Sequence, residues 1–265
     1  MLAECLVGKN NFALKLNIMN TSLNSLSLAQ IVNNSHQAAS VFEKYHLDFC
    51  CKGKRSLEQA CIEQQLSLAD VTDDLENIFA KSTNNNAIDF EKMTLTQLAD
   101  YIVQTHHAYV KNEMPQIQAY LHKVSSKHRD RHPELDKIFQ TFNAVKEEME
   151  GHMKKEELVL FPRIKELQKL IDDENANLQL NITYLQSPIT VMEQEHDHAG
   201  NLLNDIRILS NDYTPPQDAC TTYRLSFAAL KAFELDLHQH VHLENNILFP
   251  KAIETFRDLQ TTILN

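Results

Sequence analysis

Glycine is scarce in this sequence, with four residues among 265, and no run of apolar residues is long enough to span a membrane. β-Sandwiches and barrels need frequent tight turns, so this scarcity argues against both. A bilayer-crossing helix needs about 18 or more consecutive apolar residues, and we therefore expect no membrane-spanning segment. The remaining composition, 43% hydrophobic and 23% charged, predicts an all-α protein with almost no sheet.

Basic residues are too few for a protein that binds nucleic acid. The chain has 25 Lys and Arg against 36 Asp and Glu, which gives a formal net charge of -11. Phosphate backbones are bound by clustered positive charge, so this balance excludes nucleic acid and favours cations as ligands. The first residues lack the basic start and the small-residue cleavage site of a signal peptide, and a cytoplasmic location is expected.

Cysteines are too few and too unevenly placed for a disulfide framework. Their number is odd and two of them are adjacent, which indicates reduced thiols. We interpret all but the adjacent pair as structural or incidental. The cysteines are Cys5, Cys50, Cys51, Cys61 and Cys220.

The adjacent pair Cys50-Cys51 lies in a predicted turn, with Lys52, Lys54 and Arg55 beside it. Nearby cations and the start of a helix favour the thiolate, which is the form that binds metal. From the residues alone, a functional thiol pair and two small apolar residues packed under a turn are equally good interpretations. Adjacent cysteines form only a strained disulfide, so transient binding of iron or of a nitrosyl group is the more natural function.

The composition divides the chain into four parts. Residues 1–19 show no helical period and form an extra N-terminal segment whose role and true start site stay open. Residues 20–80 predict a small helical domain with adjacent cysteines, because short apolar stripes occur with capped helix starts at Ser56 and Ser67. Residues 81–92 are polar and Asn-rich, which is the composition of a linker. Residues 93–265 predict a four-helix bundle.

Capping residues and prolines place the bundle helices. Thr94 begins a capping box, and Pro133 and Ser187-Pro188 lie where the second and third helices should start. Thr214-Pro-Pro216 ends the third helix, and the fourth runs from about Asp218. Modest connections between long helices predict an up-down-up-down bundle, which can host a site between its helices.

The second and fourth helices carry one motif, His-x-x-x-Glu followed by Leu-Phe-Pro. It runs from His152 to Pro162 and from His240 to Pro250. Residues four apart share a helix face, so each copy aims an imidazole and a carboxylate at one point, and each proline should bend or end its helix beyond. The other two helices add one His each. The predicted metal ligands are His106, His152, Glu156, His196, His240 and Glu244.

The number of ligands indicates which metal is bound. A structural zinc ion takes four ligands, usually with thiolates, and no Cys lies in these segments. Four imidazoles and two carboxylates suit two metal ions that the carboxylates bridge. Open coordination positions and imidazole ligands favour two non-haem iron ions with an oxo or hydroxo bridge, although ligand type alone does not exclude zinc or manganese.

Residues next to the ligands leave alternatives open. Spacing alone does not decide between His106 and its neighbour His107. Glu148 and Glu195 are equally well explained as solvated residues and as carboxylates that support the ligands or an ion path. Replacement of Glu157 by Leu is expected to leave the dinuclear site intact, unlike replacement of either ligand glutamate.

Four stretches of the sequence occur together in one known family. They are Asp48-Phe-Cys50-Cys51-Lys-Gly53, Glu195-His-Asp-His-Ala-Gly200, Thr214-Pro-Pro and His240-x-x-x-Glu-Asn-Asn-Ile-Leu-Phe-Pro250. In this combination the chain resembles the di-iron iron-sulfur cluster repair proteins, the repair-of-iron-centres or ScdA-type family with a hemerythrin-like bundle. The resemblance covers about residues 20–258. The N-terminal segment and Lys52, where a smaller residue stands in the family, depart from it.

The resemblance implies a non-haem di-iron centre with four His and two bridging Glu. It places the ligands on the same six residues and selects His106 over His107. It also implies that Cys50 and Cys51 are functional thiols. The implied activity is the restoration of iron-sulfur clusters that nitric oxide or peroxide has damaged.

Three functions remain open at this stage. The protein either supplies iron to damaged iron-sulfur proteins, or binds and reduces nitric oxide as an enzyme, or acts as a hemerythrin-like reservoir or sensor of oxygen or nitric oxide. The expected partners are damaged iron-sulfur proteins and a small diatomic ligand such as nitric oxide, with no nucleic acid and no membrane. The sequence does not decide between a monomer and a homodimer.

Overall fold

The computed structural model describes residues 23–81, 88–172 and 182–264, and all regular elements in these ranges are helical apart from one isolated bridge. The expected all-α fold is therefore confirmed. No helix in the described ranges is long and apolar enough to cross a bilayer. The predicted N-terminal segment 1–19 lies outside the described residues.

The chain forms two compact units, Met1–Asp89 and Phe90–Asn265. Their boundary falls inside the segment 81–92 that the composition marks as a linker, of which residues 82–87 are not described. Phe90–Lys92 forms a short helical turn that belongs to the second unit.

The first unit contains four α-helices in its described part, and serine side chains cap the starts of three of them. Ser56 Oγ accepts a hydrogen bond from the backbone N–H of Gln59 at 3.1 Å, and Ser67 Oγ accepts one from Asp70 at 3.3 Å. Both capped starts are those that the sequence predicts. The helices are α1 (Leu28–Asn34), α2 (Ala38–Lys44), α3 (Leu57–Glu63) and α4 (Leu68–Lys81).

After the turn Phe90–Lys92, the described part of the second unit contains four long helices. Three of them contain one π-helical turn. Three ranges are given below for each of these helices, and the middle range is the π-helical turn. α5 packs against α6 and α8, and α6 packs against α7. The helices are α5 (Leu95–Ile102, Val103–His107, Ala108–His128), α6 (Glu134–Lys155, Glu156–Leu160, Phe161–Asp172), α7 (Thr183–Leu209) and α8 (Thr221–Leu243, Glu244–Leu248, Phe249–Leu264).

Neighbouring helices of the bundle run in opposite directions. Between α5 and α6, His107 contacts Glu157, whereas the later Gln118 contacts the earlier Asn143. The topology is therefore up-down-up-down, as predicted. The other three pairs of neighbouring helices show the same reversal. The contacts are His152–Glu195 and Arg163–Tyr184 between α6 and α7, His196–Asn245 and Arg207–Glu234 between α7 and α8, and His106–Asp236 and His128–Cys220 between α5 and α8.

The third bundle helix begins at Thr183, earlier than the predicted start at Ser187-Pro188. Pro188 has no N–H for the carbonyl of Tyr184, which lies one turn earlier. Arg163 on α6 replaces that donor, because its Nη1 lies 2.7 Å from the Tyr184 oxygen. A side chain from another helix thus satisfies the carbonyl and lets α7 extend past the proline.

The two Leu-Phe-Pro prolines do not end their helices, because α6 and α8 continue well past Pro162 and Pro250. A π-helical turn precedes each proline. In α6 the N–H of Phe161 bonds to the carbonyl of Glu156, five residues earlier. This wider turn gives the proline ring room against the preceding backbone, which an uninterrupted α-helix would not.

Two apolar layers fill the bundle on either side of its middle. One layer lies at the end where α5 begins and α8 finishes, and Phe161, Leu248 and Phe256 are fully buried in it. The other lies towards the opposite end and contains Phe142 and Phe233, whose rings meet edge to face at 5.7 Å. These layers keep bulk water away from the residues between them.

Arg207 and Glu234 form a buried ion pair between α7 and α8, with Nη2 2.6 Å from Oε1. We expect Glu234→Ala to lower the free energy of unfolding by about 3–5 kcal/mol, because a buried charge loses its partner. Chemical denaturation measures this loss. Lys146→Ala, which breaks an exposed pair with Glu150 within one helix, should cost no more than about 0.5 kcal/mol. Equal losses in the two variants would contradict the structural role of the buried pair.

Candidate metal centre

Six titratable side chains lie buried between the two apolar layers of the second unit. Each is at most 2% exposed. Charges at such depth are stable only when other charges or bound ions compensate them. The six are His107, His152, Glu156, His196, His240 and Glu244.

The six side chains form two overlapping groups of four. One group joins His107 and His240 to the two glutamates, and the other joins His152 and His196 to the same two. Within each group the ligand atoms all lie within 4.8 Å of one another. The two glutamates belong to both groups, which is the sharing expected from the repeated motif.

The structure corrects the choice between the adjacent histidines, because His107 and not His106 lies among the ligands. Nε2 of His107 is 3.2 Å from Nε2 of His240. His106 instead directs its Nδ1 to Asp236, at 3.0 Å. The π-helical turn Val103–His107 shifts the register of the helix, and a uniform helical period does not reveal such a shift.

Three of the four ligand imidazoles have an acceptor at Nδ1. An acceptor there keeps the proton on Nδ1 and leaves a lone pair on Nε2, the nitrogen that points into the site. The ring is thereby fixed in the tautomer that binds a metal. The pairs are His107 with Glu157 at 2.7 Å, His152 with Glu195 at 3.0 Å, and His196 with Asn245 at 2.9 Å.

The inward nitrogens of the imidazoles face one another in pairs. Nε2 of His152 and Nε2 of His196 are 3.0 Å apart, and those of His107 and His240 are 3.2 Å apart. Two lone pairs at this distance repel unless a positive charge lies between them. Each pair is therefore arranged to share a cation or a proton.

Among the described residues, three of the four oxygens of the two shared carboxylates also lack donors, and the fourth, Oε1 of Glu244, lies 3.0 Å from Nε2 of His240. Both oxygens of Glu156 and Oε2 of Glu244 are buried without a hydrogen bond in the described part of the chain. Nε2 of His152 approaches Oε2 of Glu156 to 3.3 Å, but without hydrogen-bond geometry. Buried carboxylates of this kind need a cation, and imidazole with carboxylate ligands suits iron.

Protons and metal ions compete for these ligands. Burial opposes a charge on His152, but Glu156 and Glu195 outweigh burial and raise its pKa to about 10. Burial likewise opposes a charge on Glu244, but His240 and His196 hold its pKa well below the usual range. Among the protein groups alone, a proton on His152 balances the carboxylates, and a metal ion that binds must displace it.

Two outer carboxylates connect the ligand histidines to surface lysines. Glu195 accepts from His152 and pairs with Lys155 through its other oxygen, so it occupies the supporting position that the sequence left open. Glu157 accepts from His107 and lies 2.6 Å from Lys111. Glu157 thus contacts a ligand histidine, because the register shift brings His107 within its reach.

Glu148 does not support the ligands. Its Oε1 lies 3.7 Å from Nε2 of His198, and both side chains are exposed. Asn245, by contrast, supports His196 and was missed by the sequence analysis. The only signal in the sequence was its position directly after the motif glutamate Glu244. A uniform helical period predicts that a residue at this position points away from the site.

Cys50 and Cys51 form a third group of metal-binding type with Asp48. Their Sγ atoms are 3.8 Å apart, and Oδ1 of Asp48 lies 3.3 Å from Sγ of Cys50. Cys51 and burial together raise the pKa of Cys50 well above its usual value. One of the cations expected to favour the thiolate, Arg55, pairs with Glu63 instead. The structure thus favours a protonated thiol at Cys50.

Two protein-family models match the chain. The Hemerythrin HHE cation binding domain matches residues 98–252, which contain all six buried ligands. ScdA_N, described as a domain of unknown function, matches residues 24–78, which contain both adjacent cysteines.

Curated relatives match most of the chain. The probable iron-sulfur cluster repair protein of Haemophilus influenzae is 32% identical over 226 residues, which cover 85% of this chain and 96% of the relative. The iron-sulfur cluster repair protein YtfE of Escherichia coli O157:H7 is 32% identical over 227 residues, with the same two coverages. YtfE of Musicola paradisiaca is 33% identical over 227 residues, covering 86% of this chain and 96% of that protein.

Replacing His107 should lower the amount of iron that the chain binds, whereas replacing His106 should not. His107→Ala removes a nitrogen from the cluster, and His106→Phe removes a side chain that bonds to Asp236. We expect the iron content of His107→Ala to fall by about half or more, since few ligands remain in its group. Metal analysis of the purified variants measures this content, and the reverse order of losses would contradict the assignment of the ligands.

Metal should stabilise the protein more at high pH than at low pH. In the metal-free protein, the imidazolium of His152 contributes stability below about pH 6.5. That contribution is lost as the pH rises through its folded pKa of about 10. A metal ion binds the unprotonated ring and avoids this loss. The difference in Tm between loaded and metal-free protein should therefore grow from about pH 6 to about pH 9; a constant difference would argue against competition between proton and metal.

Proposed function

The chain belongs to the iron-sulfur cluster repair proteins with a ScdA_N and a hemerythrin HHE domain, and on this premise we propose that it repairs damaged clusters by supplying iron. The observation that carries the proposal is the pair of four-donor groups that share Glu156 and Glu244. Nitrogen and oxygen ligands hold iron without the thiolates that a cluster uses. A cluster apoprotein therefore has a thiolate set with which it can compete for the iron.

Each of the two groups holds one iron ion in this proposal. Two imidazole nitrogens and one oxygen from each shared glutamate provide the protein ligands of an ion. A six-coordinate iron keeps further positions, which an oxo or hydroxo bridge and a small molecule can take. Bound iron would supply redox and Lewis-acid chemistry at this point of the bundle.

The protein residues hold the ligands in place and exclude water. Glu157, Glu195 and Asn245 orient three of the rings from behind. The apolar layers on either side limit access of solvent to the carboxylates.

The group of Asp48, Cys50 and Cys51 passes iron to the client in this proposal. Two thiols and a carboxylate offer softer ligands than the histidine site and resemble the thiolates that receive iron in a cluster protein. Because Cys50 is protonated when free, it releases a proton as the metal binds. The clients are iron-sulfur proteins whose clusters have been damaged.

Nitric oxide chemistry is the second candidate function. Two bound ions would offer coordination positions that the six buried ligands do not fill. With two electrons from a donor and two protons, two nitric oxide molecules would give nitrous oxide and water. Repeated formation of nitrous oxide with an electron donor would favour this function over iron supply. A single bound nitrosyl without product would not.

Transfer of labelled iron to an apo-cluster protein tests the proposal. The chain loaded with labelled iron should lose it to the apoprotein in the presence of sulfide, and the cluster absorbance should rise in parallel. Replacing Cys50 and Cys51 with Ser should slow this transfer by about tenfold or more, since even indirect metal contacts contribute that much. The iron content at the start should stay unchanged.

Cys220→Ser is the matched control, because Cys220 is an exposed cysteine outside the thiol group. It should transfer iron at the parental rate. Iron that stays on the chain in every variant would refute iron supply, and equal rates in the double variant and the control would refute the role of the thiol pair.

A further inference from the structure

The four ligand imidazoles are not equally supported, and His240 is the exception. Its Nδ1 is buried and has no hydrogen-bond partner in the described part of the chain. The other three ligand histidines each have an acceptor at Nδ1, at 3.0 Å or less. Metal-bound imidazoles normally donate from their second nitrogen, which fixes the ring and strengthens the ligand. The group of His107 and His240 therefore lacks the hydrogen bond that would hold the ring of His240.

A carboxylate suited to this nitrogen lies one helical turn before His240. Asp236 precedes it by four residues on α8, so the two side chains share a helix face. Oδ2 of Asp236 is buried and has no hydrogen bond within the described ranges. In the part of the chain that the structure describes, Oδ2 of Asp236, which lacks a donor, and Nδ1 of His240, which lacks an acceptor, thus lie on successive turns of α8.

His106 holds the carboxylate of Asp236 away from that position. Its Nδ1–H donates to Oδ1 of Asp236 at 3.0 Å, and its side chain is only 3% exposed. Its ring is parallel to the ring of His240, with an interplanar angle of 4° and centroids 5.6 Å apart. His106 and His240 therefore lie side by side, and the carboxylate of Asp236 bonds to His106.

We propose that His106 diverts Asp236 from His240 and so makes the group of His107 and His240 the weaker metal subsite, from which iron leaves first. This inference rests on the proposed function in that each group holds one ion. Loss of the partner behind a metal ligand lowers affinity by about 10- to 100-fold, and the two subsites should differ by this factor. The chain would then give up one ion readily and keep the other.

The release of iron to a chelator tests the inference without any client protein. The loaded chain, mixed with an excess of a ferrous chelator, should release iron in two phases of equal amplitude. His106→Phe keeps a buried planar ring but removes the donor to Asp236, so that Asp236 can accept from Nδ1–H of His240. The fast phase should slow by about tenfold or more, while the slow phase is unchanged. A purely structural role of His106 would instead speed the release.

Two further variants identify the subsites. Asn245→Ala removes the acceptor of His196 and should accelerate only the slow phase. Asp236→Leu should return the fast phase of His106→Phe to the parental rate, because the acceptor gained by His240 is lost again. This second variant also shows whether any slowing comes from Asp236 rather than from the Phe ring.

Several results would overturn the inference. These are a single release phase, a fast phase that His106→Phe accelerates or leaves unchanged, and an effect of Asn245→Ala on the fast phase. If release occurs in two phases but no iron reaches an apo-cluster protein, the proposed function fails while the inequality of the subsites stands.

Discussion

The convergence of four imidazoles on two shared, buried carboxylates is the constraint on which the second unit depends. Lone pairs 3.0–3.2 Å apart and glutamate oxygens without donors are unfavourable in an apolar interior unless positive charge joins them. The long antiparallel helices, the outer hydrogen bonds to Nδ1 and the apolar layers all serve to hold these groups together. Without a cation, only protons can balance the carboxylates, as the raised pKa of His152 shows.

The π-helical turns show how the backbone of the bundle accommodates this site. Each of the three begins or ends at a ligand, namely His107, Glu156 and Glu244. A π-helical turn is less favourable than an α-helical one and persists where tertiary contacts require it, often at functional sites. In α6 and α8 the same turn also accommodates the following proline. The Leu-Phe-Pro signature is thus explained by backbone geometry beside the ligands and not by contact with a substrate.

Much of the fold followed from local chemistry that the sequence displays. The capped starts at Thr94 and Ser56 formed as predicted, because a hydroxyl in reach of a free N–H acts within one turn. Five of the six predicted ligands lie in the buried cluster for a similar reason, since a spacing of four residues fixes a shared face. The failures involve influences from elsewhere in the fold. His107 replaced His106 because a π-helical turn changes the register, and α7 began early because Arg163 bonds to a carbonyl that Pro188 leaves free.

The paired lysines on the outer carboxylates make the buried centre sensitive to the surface of the protein. Lys111 and Lys155, each about half exposed, hold Glu157 and Glu195, and these in turn hold His107 and His152. Each of these two metal ligands is thus connected to the protein surface through one partly exposed carboxylate. Salt that screens the lysines, or acylation that removes their charge, loosens the orientation of a ring that no solvent touches. The affinity of the centre for metal therefore depends partly on the ionic conditions around the molecule.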